Sequence, residues 1–269
     1  MAERFGPLVS STWLQDNLAE VVIADVRWGI AEGAKREAYR DGHLPGAVFV
    51  DLDLDLSDPP GESGRHPLPD PADFAAAMER LAITESSTVV AYDDAGGAMA
   101  AARFWFMLDS LGVAAAVLDG GIQGWNGGLE AGEVASSSQS GSFPAQQWPV
   151  ERFVDVGFVA SNLDSLDLLD ARSADRYRGV EGGIDVRPGH IPGANSAPWA
   201  DNLDDEGRFH VAGLEWGKAQ TEEPVVYCGS GVSACHTLLA LRLAGTSGRL
   251  YTGSISEWAI DPSRPVARS

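Results

Sequence analysis

Cysteine is scarce: Cys228 and Cys235 are the only two in 269 residues. That number excludes the disulfide framework of a small secreted domain. Cys228 lies in an expected loop and Cys235 in the helix after it, so pairing them would require the first helical turns to rearrange. Cys228, Cys235 and His236 follow no common zinc spacing and lack a fourth ligand, so no metal is expected. Positive charge is also scarce, with 19 Lys and Arg against 39 Asp and Glu and a formal net charge of −20. Nucleic acid and anionic membrane both need a basic footprint, so neither is expected as a partner. Any anionic substrate must be held by local arginines. No uninterrupted apolar run approaches membrane-spanning length, and no basic stretch followed by an apolar segment opens the chain. A soluble, cytoplasmic protein is expected.

What is present is a repeat. VVIADVRW (21 to 28) returns as LDLLDARS (166 to 173), and DGHLPGA (41 to 47) as PGHIPGA (188 to 194). VVAYD (89 to 93) returns as VVYC (225 to 228), and LDGGIQGW (118 to 125) as YTGSISEW (251 to 258). The order is the same in both halves, and the period is far longer than that of a solenoid. The chain is a duplicated domain, of a size at which each half can bury its own core.

Each half alternates short apolar strands with helical stretches, the pattern of a parallel sheet covered on both faces. Strands are expected near 21–26, 47–51, 88–93 and 114–118, then near 166–170, 194–198, 224–228 and 249–252. Helices are expected over 71–82, 98–111 and 233–244. The Ser-rich, aperiodic stretch around 132–150 reads as a linker. The expected domains are therefore 1–131 and 151–269.

Duplication separates scaffold from chemistry. Asp25 with Arg27 corresponds to Asp170 with Arg172, and His43 to His190, so these read as structural. The halves differ at one strand end, where the first has Asp93 and the second Cys228. Cys228 opens a Gly-spaced loop between an apolar strand and an apolar helix. Gly229 and Gly231 let successive N–H groups turn inward into an anion-binding nest. The N-terminal end of the following helix, from about Ser233, favours a thiolate. Only the second module is expected to carry thiol chemistry.

Together, DGHLPGA, PGHIPGA and the loop opening at Cys228 resemble the tandem-domain rhodanese family of sulfurtransferases, from about Thr12 to Trp258. The loop CGSGVSAC is similar to that of the 3-mercaptopyruvate sulfurtransferases, whereas thiosulfate rhodaneses have Arg and Lys directly after the cysteine. The resemblance implies two rhodanese-like α/β domains, the first catalytically silent. It also implies transfer of a sulfane sulfur from 3-mercaptopyruvate, or from thiosulfate as the runner-up, through a Cys228 persulfide. The acceptor would be a thiol, thioredoxin or cyanide, no cofactor is needed, and a monomer or weak dimer is expected. A non-turnover carrier or interaction module is the alternative. A phosphatase of the same fold is disfavoured because residues 229–235 carry no positive charge to hold a phosphate.

The resemblance also suggests site residues. Gly229, Gly231, Val232 and Ser233 would contact the donor. Arg176, without a counterpart at the same offset in the first half, would hold a donor carboxylate, a task suited to the planar guanidinium. A second arginine is expected nine residues further on, where this chain has Asp185, and Arg187 is the nearest replacement. Asp58 and His66, in the longer segment SDPPGESGRHPLPDP, match an Asp and a His placed near the active loop beside the equivalent of Ser230. An Asp-oriented imidazole could move a proton through Ser230.

Overall fold

Short, mostly apolar segments form two parallel sheets, one in each half of the chain. The computed structural model describes residues 6–134, 141–180, 184–210, 221 and 223–268. The first half contains β1 (Leu8–Val9), α1 (Ser11–Asp16), β2 (Val22–Asp25), the hairpin β3 (Trp28–Gly29) and β4 (Gly33–Ala34), and α2 (Arg36–Asp41). It continues with β5 (Val48–Phe49), α3 (Leu52–Asp55), α4 (Pro71–Arg80), β6 (Thr88–Tyr92), α5 (Ala100–Ser110) and β7 (Ala114–Leu118). The second half contains β8 (Phe153–Val154), α6 (Val156–Asn162), β9 (Leu168–Asp170), α7 (Ala174–Arg178) and β10 (Asn195–Ser196). It ends with β11 (Val225–Tyr227), α8 (Ala234–Leu243), β12 (Arg249–Tyr251) and α9 (Ser254–Trp258).

The sheets run β1-β7-β6-β2-β5 and β10-β9-β11-β12-β8. Taken from the opposite edge, the second order is the first one again, and the ladders of both are parallel. The central strand of each sheet leads into a helix buried along nearly its whole length, α5 from Ala100 to Leu108 and α8 from Ala234 to Leu241. A helix apolar all round belongs inside a fold, which fixes the strand-to-helix loop before it firmly. The buried cores follow the same plan. Val9, Leu14, Ile23, Val90, Tyr92 and Leu118 form one, and Val154, Val159, Leu168, Val225, Tyr227 and Tyr251 the other.

The repeated motifs are scaffold in both copies. Arg27 closes its fork on Asp25 and donates to the Gly42 carbonyl at 2.7 Å, while Arg172 does the same with Asp170 and the Gly189 carbonyl at 2.6 Å. His43 stacks on Tyr39 with ring centroids 4.3 Å apart, and His190 on Tyr177 at 3.8 Å.

The chain packs as two compact units. One comprises 1–57, 69–148 and 205–209, the other 58–68, 149–204 and 210–269. Residues 58–68, which include His66, therefore belong to the unit that carries Cys228. Of the stretch expected to be a linker, 135–140 lie outside the described residues. Its later part is anchored on α4, where Phe143 and Trp148 pack edge-on against Phe74 at 5.8 and 5.0 Å. Among the described residues no helix is long and apolar enough to cross a membrane.

Candidate active site

Cys228 stands at the carboxyl end of β11, the central strand, where open α/β sheets place their functional loops. Its neighbours fix the backbone on both sides. The Cys228 N–H donates to Ser254 Oγ at 3.1 Å, its carbonyl accepts from the Ile255 N–H at 3.2 Å, and the Gly229 carbonyl accepts from the Ser256 N–H at 3.1 Å. Ser254 is fully buried and left-handed, with φ 53°, and its hydroxyl donates onward to the Tyr251 carbonyl at 2.9 Å. A non-glycine residue held in that region marks a position fixed by its surroundings. Gly231 is left-handed as well, with φ 77°, and lets the loop turn into α8. Val232 and Ser233 are buried and complete that turn, the Ser233 carbonyl accepting from the His236 N–H at 3.2 Å. Cys235 is buried one helical turn away and donates to the Gly231 carbonyl at 3.4 Å.

The cations of the site are gathered around one acid. Arg176 closes a bidentate fork on Asp185, with Nε to Oδ2 at 2.9 Å and Nη2 to Oδ1 at 2.7 Å. Arg172 donates to the same carboxylate from Nη1 at 3.0 Å, and Arg65 Nη1 stands 3.8 Å from it. Asp185, expected as the gap left by a missing arginine, is instead the hub of three arginines. Burial opposes its ionisation, but the hydrogen bond from Arg176 and the charges of Arg176, Arg172 and Arg65 outweigh that and hold its carboxyl below the usual range. Arg176 and Arg65 also converge on the loop. A Cβ at residue 229 would lie 2.6 Å from Arg65 Nη2 and 2.9 Å from Arg176 Nη2, so any larger residue there would push the two guanidinium groups aside.

Ser230 and His66 meet despite their distance in sequence. His66 Nδ1 and Ser230 Oγ are 2.8 Å apart, and both residues are buried. The segment that delivers His66 is pinned at its turn, where the Arg65 N–H donates to Ser256 Oγ at 3.1 Å. It is pinned again at its base, where the Asp58 N–H donates to the Pro67 carbonyl at 3.2 Å. Asp58 is thereby set beside the His66–Pro67 turn. It also lines a cavity of about 350 Å³ with Pro67, Leu68, Phe153, Thr252 and Glu257.

Arg187 goes elsewhere. Its Nε donates to the Ala259 carbonyl at 3.0 Å and its Nη2 to the Asp261 carbonyl at 2.8 Å, with the Trp258 carbonyl at 3.5 Å. Those carbonyls take up the guanidinium and make it a strut behind α9, and the structure does not bring it together with Arg176 at Asp185. The cation at the loop that sequence reasoning missed is Arg65. Its neighbour His66 marks the same segment, but no local pattern links residue 65 to residues 185 and 229.

Comparison with known proteins gives a consistent setting. The rhodanese-like domain family matches residues 10–127 and 156–261. A protein of Pseudomonas aeruginosa named as a probable 3-mercaptopyruvate sulfurtransferase is 42% identical, over 97% of each chain. SseB of Mycobacterium tuberculosis, provisionally named a thiosulfate sulfurtransferase, is 38% identical over 92% of this chain and 91% of its own. The crystal structure of SseA from Escherichia coli, described for the rhodanese fold and mechanism of the 3-mercaptopyruvate enzymes, superposes with a TM-score of 0.78. It has 33% identity and covers 93% of this chain and 99% of that one.

Proposed function

The chain belongs to the rhodanese family, and we propose that it is a sulfurtransferase whose second domain moves a sulfane sulfur through a persulfide on Cys228, the first being catalytically silent. The observation that carries this reading is the loop itself. A thiol sits at the central strand end with a helix N-terminus beyond it, two guanidinium groups lie against Gly229, and a serine of the loop is bonded to a histidine. An anionic donor has cations to meet there.

With 3-mercaptopyruvate, the Cys228 thiolate attacks the donor sulfur, the carbon–sulfur bond breaks, and its electron pair leaves on carbon as the pyruvate enolate. The proton of the donor thiol passes to that carbon, giving pyruvate and an ionised Cys228 persulfide. Ser230 and His66 form the route by which we expect that proton to move, with Asp58 orienting the imidazole. With thiosulfate the sulfur–sulfur bond breaks instead, and sulfite leaves without a proton. In either case a second nucleophile, a thiol, thioredoxin or cyanide, takes the outer sulfur and restores the thiolate. Both cysteines are free thiols, which suits a reducing compartment such as the cytoplasm. Donor preference follows the relatives' names, with 3-mercaptopyruvate first and thiosulfate second.

The test is the intact mass of the reduced protein after separate exposure to 3-mercaptopyruvate and thiosulfate. A gain of one sulfur in wild type and none in Cys228→Ser is expected. No gain from either donor would overturn the proposal and leave a non-turnover interaction module as the better reading.

A further inference from the structure

Two guanidinium groups reach the space beside Gly229, and they are not equivalent. The Arg176 fork is closed on Asp185 through both Nε and Nη2. Arg65 approaches the same carboxylate only to 3.8 Å, and its guanidinium hydrogen bond, Nη1 to the Ile184 carbonyl, is long at 3.4 Å. Its Nη2 is left against the Cys228 loop. Charge pairing makes the same distinction. Asp170 answers Arg172 and Asp185 answers Arg176, which leaves Arg65 as the cation in excess beside the thiol. In a chain of net charge −20, that surplus is local and specific. Burial depresses the proton affinity of the Arg65 guanidinium, and the anionic groups that oppose this are Asp185 and Cys228. An under-compensated, partly desolvated cation gains more from an incoming anion than an exposed one does.

We infer that Arg65 binds the anionic head of the sulfur donor, the role that the family resemblance would give to an arginine at position 185. The ligand class is a small anion whose carboxylate or sulfonate lies one to three bonds from the transferable sulfur. This rests on the sulfurtransferase reading above. A purely structural role for the side chain fits poorly, because the backbone anchors the segment without it. The Arg65 N–H is held by Ser256 Oγ, and left-handed Gly64 packs so tightly that a Cβ would come within 2.9 Å of the Gly253 carbonyl oxygen. Replacing the guanidinium therefore leaves the local chain path fixed.

Two measurements on the full chain test the inference, with Arg65→Gln and Arg65→Lys beside wild type and a urea midpoint to confirm folding. The first is site-resolved alkylation of Cys228 by iodoacetate and by neutral iodoacetamide; in both the thiolate forms the sulfur–carbon bond as iodide leaves. Arg65→Gln is expected to lower the iodoacetate to iodoacetamide rate ratio about tenfold, and Arg65→Lys to retain most of it. The second is the donor concentration giving half-maximal Cys228 persulfide. It should rise about tenfold in Arg65→Gln for 3-mercaptopyruvate and thiosulfate, with the final extent unchanged, as loss of uniform binding requires. An unchanged ratio and unchanged half-saturation in a folded Arg65→Gln protein would overturn the inference. Failure of wild type to take sulfur from either donor would instead overturn the proposed function, and the alkylation ratio would still decide whether Arg65 attracts anions to Cys228.

Discussion

The two loops at the central strand ends are the same device with different residues inside. In the first unit Asp93 follows β6, and its buried carboxylate accepts the N–H groups of Ala95, Gly97, Met99 and Ala101 at 2.8 to 3.3 Å. In the second unit Cys228 follows β11, and the loop beside it meets Arg65 and Arg176. The flanking contacts agree: the Asp93 carbonyl accepts from Ile122 N–H at 2.9 Å where the Cys228 carbonyl accepts from Ile255 N–H. Gly121 is left-handed where Ser254 is left-handed. The first loop thus closes a nest of backbone donors on its own acid, a carboxyl whose pKa burial raises in spite of those four N–H groups. The second presents a thiol and leaves the anion to be supplied. Duplication has kept the flanking backbone contacts and changed the side chain that they frame.

The largest effect should come from emptying the second loop. Cys228→Ser is expected to lower sulfur transfer by at least about a thousandfold, because an alcohol does not replace a soft thiolate, while the unfolding midpoint stays near wild type. The reciprocal change, Asp93→Cys, should take up no sulfur from either donor, since Arg65, Arg176 and the His66–Ser230 pair stand at the other loop; a one-sulfur gain mapped to residue 93 would break the comparison. Next in size is Asp93→Ala, which strips the acceptor from four N–H groups and should cost about 3 kcal/mol of stability in urea unfolding. Persulfide formation at Cys228 should survive it in the folded protein. Equal stability of Asp93→Ala and wild type would mean that the first nest is not filled by its carboxylate in solution.

The repeat makes much of this visible in the sequence. Strands at 88–92 and 114–118 and helices at 71–80, 100–110 and 234–243 lie where long apolar or periodic runs place them. The helices of four to seven residues, such as Ser11–Asp16 and Ala174–Arg178, are too short for a helical period to declare itself, and two-residue edge strands such as Leu8–Val9 carry no alternation. Cys228 is legible because two glycines and a strand-to-helix switch surround it, and the resemblance points to Arg176, Ser230 and His66. Arg65 and the role of Asp185 are not. The loop that Arg65 meets lies more than a hundred residues away, and a lone arginine in a polar loop reads as solvated until residues 58–68 are found in the second unit. Arg187 shows the opposite limit, since proximity in sequence to an expected position says nothing about the carbonyls that it bonds.

Asp185 offers a pH test of the difference between the units. Its carboxyl is held below the ordinary range, so it contributes stability that is fully present above the unfolded value of about 3.9 and is lost as pH falls through the lower folded value. Asp185→Asn should therefore be less stable than wild type by about 3 kcal/mol at pH 7, where it leaves Arg172 and Arg176 under-compensated. The gap should close as pH drops well below 4. A difference that stays constant from pH 7 to pH 3 would show that the aspartate acts through packing and not through charge.

The smallest effect separates the two arginines that compete for one role. Arg187→Met removes the donors to the carbonyls of Ala259 and Asp261 while keeping the bulk of the side chain, so it should cost about 1 kcal/mol of stability. It should leave the donor concentration for half-maximal Cys228 persulfide where it is in wild type. That null on the donor axis, set beside the shift expected for Arg65→Gln, distinguishes a cation that holds the chain from one that faces the loop. If Arg187→Met raised half-saturation as Arg65→Gln does, a general loss of positive charge in the second unit, rather than placement at Gly229, would govern donor binding.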